Sequence, residues 1–166
     1  MDLTATTPEA AMHPVGLFLF LAFASLAGAV GAVVLAVRGL LAVRKNRGNP
    51  RLGWLRMAAL LACSGAVALY VWGMLHVLWA VLEAEDGGTG SSPLRPCREA
   101  GEQIVSQVIG YDVDFVPLRF ECQLTDGTTY TTSTVPGYVT PATALLGLTA
   151  VVCRIQHANR RTPTPT

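Results

Sequence analysis

The chain is short of charge. Only 14% of its 166 residues are Asp, Glu, Lys or Arg, against about 25% in an ordinary soluble domain. A soluble protein so poor in charge has too little polar surface to cover itself. With 51% hydrophobic residues, the same deficit excludes intrinsic disorder, which requires low hydrophobicity and high net charge. A net charge of +1 leaves no basic surplus for nucleic acid and no acidic tail for a cationic partner. Lysine occurs once, as Lys45, beside eleven arginines. That bias fits GC-rich coding and bears on no chemistry. Also missing are a Cys-x-x-Cys pair, a phosphate loop, a serine elbow and a zincin helix, so no recognisable catalytic constellation is encoded.

What the chain has instead is long uncharged runs. Residues 14–37 form one of 24 residues, 57–82 one of 26, and 137–153 one of 17 before Arg154. A helix rises about 1.5 Å per residue and the hydrocarbon core is about 30 Å thick, so about 20 apolar residues cross it. The first two runs exceed that length. The third must extend to residue 155, with Arg154 snorkelling to the headgroups. Its start is expected at Thr140-Pro141, an N-cap followed by proline at the first helical position. A re-entrant or surface helix is the alternative for this run.

Charge asymmetry predicts orientation. Segment 38–56 holds Arg38, Arg44, Lys45, Arg47, Arg51 and Arg56, and the C-terminal tail, 156–166 with Arg154 at its edge, adds Arg160 and Arg161. Segment 83–136 holds three basic residues, Arg95, Arg98 and Arg119, and nine of the eleven acidic ones. The positive-inside rule then puts 38–56 and the C-terminus in the cytoplasm and residues 1–13 and 83–136 outside the cell membrane. Trp54, Trp79 and Tyr138 fall where aromatic belts form. The first run reads as a reverse anchor and not a cleaved signal peptide, because its positive charges follow the apolar stretch.

The outer segment opens on a Gly-, Ser- and acid-rich linker over 85–93. Beyond it the pattern predicts a helix over 98–109 burying Ile104, Val108 and either Val105 or Ile109. Phe120, Cys122 and Leu124 alternate with polar residues as in a strand, Thr125-Asp126-Gly127 is a turn signal, and 128–134 favours a second strand. So small a unit rarely holds itself together by burial. Cys97 and Cys122 lie in the oxidising compartment on this topology and are expected to form a disulfide. The alternatives are two free thiols, or a metal pair that needs further ligands when only His13 and His76 are at hand. Cys63 and Cys153 read as small apolar packing residues.

Cys97, Gly110-Tyr111, Val116-Pro117-Leu118-Arg119-Phe120-Glu121-Cys122, Asp126-Gly127, Val135-Pro136-Gly137-Tyr138 and Pro141 carry a resemblance. Over residues 97–141 the chain resembles small multi-pass membrane proteins of actinobacterial type. Their outer loop runs Cys, Pro-Leu-x-Phe-x-Cys, Asp-Gly-Thr, Val-Pro into a last span. The resemblance implies architecture and carries over no catalytic residue.

The expected fold is therefore a mainly α membrane protein: three transmembrane helices, with a disulfide-stapled α+β extracytoplasmic domain between the second and third. No cofactor or metal is expected. Ala24, Gly28 and Ala32, with Ala27 and Gly31, and Ala58, Ala62 and Ala66 form small-x3-small ridges. Such ridges permit close helix approach within the chain or against another membrane protein or a second copy. His76 is a polar residue inside a span, read either as hydrogen-bonded packing or as a ligand or proton relay. The basic cluster at 44–47 with Arg51 can touch anionic lipid. The function expected is that of a non-enzymatic accessory or interaction subunit of the envelope. Its rivals are an oligomeric transport or immunity-type component and a redox-complex subunit.

Overall fold

The computed structural model describes residues 14–45, 50–85 and 94–160. Residues His13, Asn46, Arg47 and Arg161, and the linker from 86 to 93, lie outside the described residues. Three helices are long and apolar enough to cross a membrane: α1, Pro14–Lys45, α2, Pro50–Glu85, and α4, Val139–Asn159. Both α1 and α2 outrun their apolar stretches. Arg38 and Arg44 ride on the last turns of α1, and Arg51 and Arg56 on the first turns of α2. Arginine is a strong helix former, and at the C-terminal end of α1 the cations also complement the helix dipole; at the N-terminal end of α2 only the propensity favours them.

α1 and α2 pack antiparallel through small residues. A Cβ on Gly28 would lie 2.5 Å from Val71 Cγ2, and one on Gly39 3.2 Å from Leu60 Cβ. Between these points the Ser64 hydroxyl donates to Ala32 O at 2.8 Å. α4 packs on α2 where Gly65 faces Leu146 and Gly73 faces Val139. α4 begins at Val139, after a Pro136-Gly137-Tyr138 turn with no side-chain cap, and not at the expected Thr140-Pro141. Pro141 still falls in the first turn, where its missing N–H costs nothing.

Between α2 and α4 lies a sheet module. A 3-10 helix, Arg95–Ala100, leads to one turn of helix, α3, Glu102–Val105. Strands β1, Val108–Phe115, β2, Leu118–Leu124, and β3, Thr129–Thr131, then pair antiparallel in the order β1-β2-β3. The helix expected over 98–109 is thus corrected. Gly101, at φ +88°, breaks it after the 3-10 turn; 102–105 keep one helical turn, and the last two residues, Val108 and Ile109, already belong to β1. Val105 is buried, but Ile104 and Ile109 are exposed. The signal for β1 was present in Tyr111, Val113 and Phe115 alternating with Asp112 and Asp114. β2 behaves as its alternation predicts, with Leu118, Phe120, Cys122 and Leu124 buried, and the β2–β3 turn falls at 125–127, where Gly127 takes φ +81°.

Candidate functional site

With no catalytic constellation in the sequence, the chemically distinctive region is the seat where the sheet module meets α1 and α2. Leu21, Met74, Val77, Ala80 and Val81 share one buried cluster with Cys97, Val113, Leu118, Phe120 and Cys122. Phe120 is fully buried and stacks on Tyr111 with ring centroids 5.1 Å apart. Cys97 and Cys122 are joined by a disulfide with Cα atoms 6.1 Å apart. The bridge ties the 3-10 helix to the central strand, instead of holding the longer helix expected there. Tyr130 OH donates to Cys97 O, fixing β3 to the same point.

β1 runs alongside α2. Near its start, Tyr111 OH donates to Glu85 Oε1 at 2.8 Å. At its end, Phe115 O accepts from Tyr70 OH at 2.9 Å, and the Phe115 ring meets Phe20 edge-on at 5.9 Å. Burial, then the Glu85 carboxylate, pushes the Tyr111 hydroxyl well above its ordinary range. Burial also raises Tyr130. On the other side of the sheet, Glu99 accepts from Ser133 N at 3.1 Å and Ser133 Oγ at 2.6 Å, and these bonds hold its carboxyl below the usual range. Asp126 is lowered in the same way by the hydroxyl and amide of Thr128, which close the turn.

Gly73 is the point on which the seat turns. A Cβ there would lie 2.7 Å from Leu118 Cδ2 and 2.9 Å from Val139 Cγ1, so the sheet and α4 both approach α2 at that residue. A groove of about 510 Å³ opens beside it, lined by Arg119, Thr132, Ser133, Pro136 and Thr140 among others.

The sequence-predicted residues fall as follows. Gly28 and Ala32 face α2, and Ala24 packs against the shared cluster. Ala27 is exposed and Gly31 has no neighbour within 4 Å, so that ridge points away from the chain. Ala62 is buried, with Ala58 and Ala66 half-buried. His76 is half-buried, edge-on to Trp72, with Nδ1 2.9 Å from Trp72 O. A carbonyl can only accept, so the proton sits on Nδ1 and Nε2 is left as the acceptor in the neutral ring. Among the described residues no group of three His, Cys, Asp or Glu is placed to hold a metal ion. Sequence reasoning missed Gly73 and Tyr70. Ala66, Gly73 and Ala80, small residues at seven-residue intervals, were a legible sign of a close contact along α2. Compared with known proteins, the chain matches no family model, and no curated protein or solved structure is significantly similar to it.

Proposed function

We propose that this is an integral membrane protein crossing the bilayer three times, N-terminus outside and C-terminus in the cytoplasm. Its sheet module stands on the extracytoplasmic face. The gathering of arginines at one end carries this reading. Arg38, Arg56 and Arg154 line one cavity, and Arg51 and Arg160 line another with Trp54. The sheet module, beyond the other end of α2, carries only three of the twelve lysines and arginines, Arg95, Arg98 and Arg119. That separation is the pattern the positive-inside rule selects, and a disulfide suits an oxidising exterior. The exposed faces of α1 (Phe23, Leu26, Val30, Val33) and α4 (Leu145, Leu148, Val151) are apolar, as lipid contact requires.

The role we assign is non-enzymatic: an accessory subunit that presents the stapled module to another envelope component. In-membrane crosslinking with mass spectrometry of what is captured tests the role; a chain that crosslinks to nothing reproducible does not have it. Topology is tested by an impermeant maleimide on intact cells, with Cys63 and Cys153 replaced by Ala. Thr128→Cys should label and Arg44→Cys should not, and the reverse pattern overturns the orientation.

A second reading, an oligomeric membrane component, draws on the Ala27/Gly31 ridge that faces away from the chain. Small ridges of this kind dock helices. A monomeric mass in mild detergent removes it.

A further inference from the structure

The β1–β2 turn, Val116-Pro117, is the innermost point of the sheet module, and it is apolar and bare: Val116 is 92% exposed. Its height is fixed by its neighbours. Phe115 O is held by Tyr70, and Leu118 packs where Gly73 meets Val139, the first residue of α4. The turn therefore lies level with residues 70–73 of α2, about 22 Å along the helix from Glu85 at 1.5 Å per residue.

The bilayer can be placed on the same scale. Trp54 is exposed at one end of α2, and Trp72 and Tyr138 are exposed near the Gly73–Val139 contact. From residue 54 to residue 73 is about 28 Å of helix, close to the roughly 30 Å hydrocarbon thickness, and aromatic residues mark both its edges. Of the apolar residues beyond this window, Met74, Val77, Ala80, Val81 and Ala84 are buried in the protein, while Leu75 and Trp79 stay exposed. The buried ones need no lipid to cover them.

We infer that the Val116-Pro117 turn dips into the outer leaflet and contacts its acyl chains. This rests on the membrane reading above. The charges on either side agree with it. Asp114 and Arg119 are cross-strand partners and the first charged residues flanking the turn, and both are exposed. Between them lie Phe115, Val116, Pro117 and Leu118. Val116 lies two residue steps beyond Asp114, about 7 Å at 3.3 Å per residue, which matches the depth of about 5–10 Å at which amphipathic surface elements sit. The charged pair then stays among the headgroups while the turn passes below them. In water, a nearly bare valine at a turn would gain nothing. In the leaflet it gives the module a lipid contact of its own, independent of the helices that carry it.

The test is nitroxide depth measurement on the full chain in vesicles of phosphatidylcholine with a minor share of phosphatidylglycerol. Cys63 and Cys153 are replaced by Ala, and the Cys97–Cys122 bridge is kept. Labels go on Val116→Cys, on Val30→Cys in the exposed face of α1, and on Thr128→Cys in the β2–β3 turn. Val116 makes little packing contact, so its replacement leaves the fold intact. Residue 116 should collide freely with oxygen, and with a water-soluble nickel chelate at least about threefold less often than residue 128, as expected for a site below the headgroups. If residue 116 matches 128 while 30 remains shielded, the turn lies in water and the inference is overturned with the membrane reading intact. If 30 and 116 are both open to the chelate, the membrane reading fails and the inference with it.

Discussion

The α1–α2 contact and the sheet seat are built by opposite means, although they share a helix. Along α1 the contact is made by what is missing: Gly28, Ala32 and Gly39 let two backbones close on one another. On the membrane reading proposed above there is no hydrophobic drive between apolar helices, and close packing with an occasional hydrogen bond, here Ser64 to Ala32 O, must serve. At the seat the contact is made by bulk. Phe120, Leu118, Val113, Met74 and Val77 form a core of the kind water drives together. The difference shows that apolar sequence in α2 has two employments, and only burial tells them apart.

Removing bulk should break the seat and spare the helices. Phe120→Ala should cost the module about 3–5 kcal/mol, the usual loss for a buried phenylalanine. Amide exchange in β2 should quicken, while a crosslink between Ala32→Cys and Ser64→Cys still forms. Loss of that crosslink would show that the two contacts are one cooperative unit.

Opening the bridge should act on the same side of the comparison. Cys97→Ser should cost about 2–5 kcal/mol, leaving membrane insertion unchanged, as read by the proteolytic sensitivity of 94–136 against that of the helices. A module equally resistant with and without the bridge would mean the seat alone holds it.

Adding bulk should do the reverse. Gly28→Leu drives a side chain into Val71 and should cost about 1–3 kcal/mol in α1–α2 packing. Leu26→Ala, on an exposed face, should cost under about 0.5 kcal/mol. Unfolding in a denaturing detergent series measures both, and equal effects would place the ridge against lipid.

The smallest effect is acid sensitivity at the module's rim. The Ser133 bonds hold Glu99 below its ordinary value of 4.5. A lowered carboxyl contributes stability that is complete above that value and is lost as pH falls through the folded one. Protection of the Ser133 amide, taken against its intrinsic exchange rate at each pH, should therefore fall in acid below 4.5, and Glu99→Gln should flatten that fall.

Much of this was legible in the residues. Uncharged runs gave three long helices, because a stretch that excludes charge over twenty residues has few other ways to satisfy its backbone. The period-2 pattern of 118–124 gave β2, and Thr125-Asp126-Gly127 gave its turn. The helix drawn over 98–109 went astray because Ile104 and Val108 fit helical spacing as well as they fit a turn followed by a strand. Gly101 and the Tyr111–Phe115 alternation were the deciding signals. The seat itself was hidden for a different reason. An apolar residue of α2 facing Phe120 reads the same as one facing an acyl chain, so hydropathy alone does not tell the two apart.

One consequence lies in the mechanics of α2. It runs from Pro50 to Glu85 with no proline inside it, carrying arginines at one end and the sheet at the other. Such a rod has no proline kink. A turn of one residue about its axis, about 100°, would swing Val77 and Val81 away from Phe120 and bring Leu78 toward it. A rotation of the sheet about that axis would thus be carried along α2 toward the arginine end.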